Sequence, residues 1–199
     1  SQDLDPAVQR AVNRLQSLEQ TRTLIEAART LQFRSINLDL IYGLPKQTPE
    51  SFARTVEEII RLQPDRLSVF NYAHLPERFM PQRRINAEDL PSPAQKLAML
   101  HNSIEQLTAA GYRYIGMDHF ALPDDELAIA QEDGRLQRNF QGYTTHGHCD
   151  LIGLGVSAIS QIGDLYSQNS SDLTVYQDTL DAPELPVRRG LHWNADDRV

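Results

Sequence analysis

The chain carries one cysteine, Cys149, among its 199 residues. That scarcity excludes an internal disulfide and any metal centre built on several thiolates of this chain. No apolar run approaches the length needed to span a bilayer, and the opening residues, SQDLDPAVQR, are polar where a signal peptide would be apolar. A basic tract of the kind that binds phosphate backbones is also missing. The formal net charge of −8 is spread along the chain, which argues against nucleic acid or an anionic membrane as a partner. A cytoplasmic location is the default expectation. With 40% hydrophobic and 23% charged residues, the composition is that of an ordinary globular domain or part of a larger one.

What the sequence does contain is a series of helix starts. Asp5-Pro6 pairs a cap with a first-turn proline, and Ser17 stands at capping-box spacing from Gln20. The stripe Leu24, Ile25, Ala28 and Leu31 then predicts a helix over 18–32. Thr48-Pro49 opens a helix carrying Phe52, Val56, Ile59 and Ile60, and Ser92-Pro93-Ala94-Gln95 opens one carrying Leu97, Leu100, Ile104 and Leu107. Between these, SINLDLI (35–41), DRLSVFN (65–71) and YRYIGMDH (112–119) read as strands. Strands alternating with helices, with no hairpin between, predict parallel pairing through crossover helices and an α/β fold.

The strands end in polar groups that packing does not require: Asp39 and Tyr42, then Asn71, Tyr72 and His74, then Asp118 and His119. Side chains delivered from several strand ends to one rim favour part of a TIM-like (β/α) barrel over an open sheet with a single switch point. Three strands of a barrel leave bare edges, and Asn194 stands ready to cap a further helix. The fold is therefore expected to be truncated at both ends. Residues 123–134 read as a short helix, and 138–163, rich in Gly, Thr and His, as loops covering a site. Residues 1–163 are accordingly grouped as the central and carboxyl-terminal part of the barrel domain, and 164–199 as a connecting segment into a further domain.

Three stretches could carry chemistry. GLGVSA, Gly153 to Ala158, fits a dinucleotide fingerprint with Asp172 downstream, but the helix that should follow is interrupted by Ser160, Gly163 and Asp164. The preferred reading is glycines that let backbone pass close to another element. HGHCD, 146–150, gathers His146, His148 and Cys149 in five residues, yet its spacing is not that of a structural zinc site, so no metal ligand is assigned. Asp39 lies within its strand rather than at the helix start that Thr48 already caps. A carboxylate there suits a ligand hydroxyl pair, as on a ribose, although a cap or an arginine partner is the plainer alternative.

The stretches QDLDPAVQRAVNR, INLDLIYGLPKQT, DRLSVFNYAHLP, GYRYIGMDHFALPDDELAIAQ and RNFQGYTTHGHCDLIGLGVSAIS resemble the oxygen-independent coproporphyrinogen III oxidases, radical S-adenosylmethionine enzymes of haem synthesis, over essentially the whole chain. The resemblance implies a partial barrel. It also implies oxidative decarboxylation of two propionates of coproporphyrinogen III to vinyl groups, giving protoporphyrinogen IX, by a 5′-deoxyadenosyl radical formed from S-adenosylmethionine at a [4Fe-4S] cluster. An unidentified electron donor and acceptor are implied as partners. Carried onto this sequence, Gln2, Arg14, Asp39 and Ala73 match contacts to the first S-adenosylmethionine, as does Ile159, while Phe140 and Gln141 match contacts to a second molecule of it. No residue is assigned a catalytic role.

The family's three clustered cysteines have no counterpart here, so the cluster ligands are expected outside this chain, which alone should be inactive. Arg83, Arg84 and Arg113 are candidate partners for the substrate's propionates. The alternatives are a related haem-binding chaperone, with His146 and His148 as ligands, and a truncated non-catalytic interaction module.

Overall fold

The computed structural model describes residues 2–198. Each of the four helix starts read above is closed by the expected side chain. Asp5 accepts from the amides of Ala7 and Val8 at the head of α1 (Pro6–Ala11), and Ser17 forms a reciprocal capping box with Gln20 at α2 (Leu18–Thr30). Two strands, β1 (Asn37–Tyr42) and β2 (Arg66–Asn71), flank α3 (Pro49–Arg61), which Thr48 and Ser51 cap. Ser92 and Gln95 do the same for α4 (Pro93–Ala109). Each such cap is worth about 1 kcal/mol and acts within four residues, which is why the starts are legible locally.

β1 and β2 pair in parallel, from Asn37 beside Arg66 to Tyr42 beside Asn71, with α3 as the crossover. Alternation divides their side chains between two faces. Leu40, Tyr42, Leu67 and Val69 turn to the helices, where they are buried with Phe52, Val56 and Ile59 of α3 and Met99 and Leu107 of α4. Burying each large apolar side chain contributes about 1.5–3 kcal/mol, so this layer carries the amino-terminal unit. Asn37, Asp39, Ile41, Ser68 and Phe70 fall on the opposite face. In α2 the outcome is narrower than the stripe suggested. Ile25 is 7% exposed, but Leu24 and Leu31 are 66% and 72% exposed.

The third strand differs from the single element expected over 112–119. It is a hairpin: β3 (Arg113–Gly116) turns at Met117 and Asp118 into β4 (His119–Ala121). The sheet order is β1-β2-β4-β3, with β4 antiparallel to both neighbours, so β3 keeps the direction of β1 and β2 but does not touch β2. The turn is made by two residues at positive φ, Gly116 at 141° and Met117 at 49°, and the Tyr114 hydroxyl donates to the Met117 carbonyl. A methionine in the left-handed region is rare, so no hairpin signal stands at these residues.

The chain divides between Arg135 and Leu136 into two compact units, so residues 136–163 cluster with the carboxyl-terminal strands. The first unit closes on α5 (Glu126–Glu132), capped by Asp125. In the second, β5 (Gln137–Asn139) and β6 (Gly142–Thr144) form a hairpin whose two-residue tip is Phe140-Gln141. β7 (Ile159–Ile162), β8 (Leu165–Asn169) and β9 (Val187–His192) form an antiparallel sheet, with α6 (Leu173–Asp181) between β8 and β9. Asn194 caps as expected, its carboxamide oxygen accepting from the Asp196 amide at 2.8 Å, though the turn it opens is 3-10 rather than α.

The fingerprint reading of GLGVSA fails here: a strand, not a helix, follows Ala158, and Asp172 caps α6 through the Val175 amide. Close approach explains Gly153, since a Cβ there would stand 2.5 Å from the Ile159 carbonyl oxygen.

Candidate functional site

Asp39 is exposed on the face of β1 opposite the α3 and α4 core and accepts from the Asn37 carboxamide at 2.7 Å. It caps no helix and makes no ion pair among the described residues, so neither plainer role accounts for it. Register sets its neighbours. Asp39 lies beside Ser68, and Ser68 beside His119 of β4, whose ring meets Phe70 edge-on at 5.8 Å. A row of polar side chains thus crosses the sheet with an aromatic pair beside it.

Gln2 reaches the same strand through its backbone: the Ile41 amide donates to the Gln2 carbonyl at 2.9 Å. What holds that segment is Asp3, which is 2% exposed. Its carboxylate accepts from the Asp5 amide at 2.6 Å, from the Thr55 hydroxyl at 3.0 Å and from the Gln47 carboxamide. Gln47 also donates to the Ile41 carbonyl at 2.9 Å, which ties the network to β1. Gln9 extends it, donating to the Asp3 and Gln16 carbonyls at 2.8 and 2.7 Å, and the Gln9 carbonyl accepts from the Arg14 amide. Gln2, the Arg14 loop and β1 are therefore one hydrogen-bonded assembly. Burial pushes the Asp3 carboxyl above its ordinary pKa, only partly countered by these donors.

The carboxyl ends of β1 and β2 are pinned together. The Tyr72 amide donates to the Tyr42 carbonyl at 2.8 Å, and Lys96 of α4 donates to the Tyr72 carbonyl at 3.1 Å. Beyond them the Ala73 carbonyl accepts from the Gln82 carboxamide at 3.1 Å, and the Tyr72 hydroxyl meets His74 Nδ1 at 3.1 Å. A cleft of about 290 Å³ opens here, with Gln2, Asn13, Ile41, Tyr72 and Arg84 among its lining. Burial raises the pKa of both Tyr42 and Tyr72, which keeps their hydroxyls protonated.

In the second unit, Phe140 packs edge-on against Tyr166 at 4.9 Å, and Tyr166 lies 4.8 Å from the Trp193 ring. Phe140 and Ile159 share the lining of a cleft of about 580 Å³ with Tyr166, Arg189, Leu191 and Trp193, whereas Gln141 stays outside it with its amide on the Asn139 side chain. His146, His148 and Cys149 are exposed, the two imidazoles 6.3 Å apart.

Of the sites expected in the first unit, Gln2 lines the cleft, Asp39 stands within β1, Arg14 follows α1 and Ala73 follows β2, while Phe140 and Ile159 share one cleft of the second unit. Asp3, Gln47, Gln82, Lys96, Tyr166 and Trp193 escaped the sequence reading. No short-range motif marks a buried carboxylate or a lysine that acts through its reach. The donor set does not fit an iron-sulfur cluster, with one exposed cysteine and no group of three or more His, Cys, Asp or Glu among the described residues arranged to hold a metal.

No family model matches the chain. It is 81% identical over 198 residues to the oxygen-independent coproporphyrinogen III oxidase of Pseudomonas aeruginosa, covering 100% of this chain and 43% of that protein. Identity to the enzyme of the same name from Escherichia coli K12 is 57% over the same shares, and to that of Helicobacter pylori J99 it is 47% over 98% of this chain and 43% of the relative. A solved structure of coproporphyrinogen III oxidase (HemN) from Escherichia coli, described as a radical SAM enzyme, superposes with a TM-score of 0.97 at 57% identity, covering 99% of this chain and 45% of that one. The chain thus spans less than half the length of these relatives. With identity of this order along the whole sequence and the same fold, it belongs to the oxygen-independent coproporphyrinogen III oxidase family.

Proposed function

We propose that this chain is the cofactor-binding central part of an enzyme that converts two propionates of coproporphyrinogen III to vinyl groups without oxygen. The observation that carries the reading is the 81% identity over the full chain to a relative bearing that name. Bound S-adenosylmethionine, on taking one electron from a reductant and releasing methionine, would supply a carbon radical able to remove a hydrogen atom from a propionate β-carbon. Loss of carbon dioxide and one electron to an acceptor then leaves the vinyl group.

The residues of this chain bind and orient. Asp39, a two-oxygen acceptor on an open strand face, suits ribose hydroxyls. Arg14, whose guanidinium makes no ion pair or hydrogen bond among the described residues, suits the methionine carboxylate. Gln2 suits the hydroxyls or the amine beside them, and a backbone group of Ala73 completes the contacts made by the first unit. Phe140 and Gln141 serve a second molecule of the cofactor. The cluster's ligands lie outside this chain, and no step is routed through its lone cysteine. No helix among the described residues is long and apolar enough to cross a membrane.

The test uses the full-length protein, reconstituted without oxygen and given S-adenosylmethionine, a reductant, an electron acceptor and coproporphyrinogen III. Both 5′-deoxyadenosine and protoporphyrin are expected, and both should fall in Asp39→Ala. An intact cluster that yields neither product, together with tight haem binding, would instead favour the chaperone.

A further inference from the structure

Three arginines were candidates for the substrate's carboxylates, and the structure separates them. Arg113 is committed to the Ala128 carbonyl at 3.2 Å and to Glu132 at 3.1 Å. Arg83 donates to the Pro76 carbonyl at 3.0 Å. Arg84 alone of the three makes no ion pair or hydrogen bond among the described residues.

Its placement is nonetheless fixed. Arg84 ends a 3-10 turn, Met80–Arg84, that is stapled to the preceding loop. Gln82 accepts from the Leu75 amide at 2.6 Å and donates to the Ala73 carbonyl at 3.1 Å, and Arg83 adds its bond to Pro76. The turn delivers Arg84 to the cleft it shares with Gln2, Asn13, Ile41 and Tyr72. In a chain of net charge −8, the lining of this cleft holds no Asp or Glu. A guanidinium with no counter-charge in a lining it shares with Asn13, an amide that the cofactor reading leaves unassigned, is a donor set for a carboxylate. Val12, Ile41, Leu44 and Ile85 in the same wall suit a short methylene arm. At about 290 Å³ the cleft takes such an arm and not a macrocycle, which exceeds a drug-sized ligand.

We infer that Arg84 is a specificity-determining residue that pairs with a propionate carboxylate of the tetrapyrrole. The inference rests on the function proposed above. Each cofactor molecule has one carboxylate: Arg14 is assigned that of the first, and the second is assigned to the cleft of Phe140, which does not include Arg84, so Arg84 is left for the substrate.

The test measures binding of coproporphyrin III, the fluorescent oxidised form, and of its tetramethyl ester to the full-length protein and to Arg84→Gln and Arg84→Lys. Removing one charge-assisted contact should weaken binding of the acid about tenfold in Arg84→Gln. Arg84→Lys should recover part of that loss, and the ester should bind wild type and Arg84→Gln alike. Urea midpoints should coincide, because the residue is exposed. In turnover, the KM for coproporphyrinogen III should rise while that for S-adenosylmethionine stays put. Equal binding of the acid by wild type and Arg84→Gln would overturn the inference, as would a rise confined to the KM for S-adenosylmethionine. A wild type that binds the acid through Arg84 yet forms no protoporphyrin would overturn the proposed reaction and leave this contact standing.

Discussion

Lys96 lies across Gly43: a Cβ added to Gly43 would stand 2.8 Å from Lys96 Cε and 3.2 Å from its Nζ. The glycine is required twice over, since its φ is +84° and the lysine passes over it to reach the Tyr72 carbonyl at 3.1 Å. Gly43→Ala should therefore destabilise the chain by about 1–3 kcal/mol, read as a lower urea midpoint at unchanged slope. Lys96→Met, which keeps most of the stem and loses only the donor, should cost about 1 kcal/mol.

Asp3 links stability to pH. Its folded pKa stands above the ordinary 3.8 because burial disfavours the charge. A carboxyl shifted in that direction adds stability below its ordinary pKa and loses it as pH rises through the raised value. Asp3→Asn does not titrate, but it sets an amide donor against the Gln47 or Thr55 donors and should cost about 1–3 kcal/mol. Its deficit relative to wild type should be largest in acid and narrow as pH rises. Urea midpoints from pH 3 upward check this, and a pH-independent deficit would show that Asp3 does not titrate in that range.

At the opposite end of β2, Arg66 Nε meets both oxygens of Asp125 at 2.9 and 2.8 Å, and Ser35 donates to the same carboxylate at 2.9 Å. Asp125 also caps α5 through the Leu127 amide at 2.8 Å. Asp125→Ala leaves the part-buried Arg66 guanidinium with Glu126 alone, at 2.9 Å, and a helix start uncapped, and should cost about 2 kcal/mol. Asp125→Asn, which keeps the cap, should cost less. Both are measured by thermal unfolding.

Phe140 is 61% exposed and holds Tyr166 by one edge-on contact. Its removal should cost stability only about 0.5–1.5 kcal/mol. If the aromatic cleft serves a second cofactor molecule, Phe140→Ala should lower bound S-adenosylmethionine from two to one per full-length chain in equilibrium dialysis. Unchanged stoichiometry would remove Phe140 from that site.

With a single exposed cysteine, the 199-residue chain should take up no stable four-iron cluster on anaerobic reconstitution with iron and sulfide. A stoichiometric, redox-active absorption band would contradict this, and Cys149→Ser should change nothing.

The sequence by itself determined the helix starts, the two parallel strands and the face on which Asp39 stands. These are governed by contacts within four residues or by the two-residue period of a strand, so Ser17 with Gln20, or Leu38 to Tyr42, suffices to read them. Tertiary structure decided what depends on distant partners. The β3–β4 hairpin turns on Met117 accepting a positive φ that its type disfavours, which neighbouring strands enforce through the Val69 amide on the Asp118 carbonyl at 2.8 Å. Asp3 became the anchor of the Gln2 segment only because Gln47 and Thr55, more than 40 positions away, fold onto it. Arg83, Arg84 and Arg113 look alike in sequence. They differ in the fold because two find carbonyls or a carboxylate within reach and one faces a cleft without an acid.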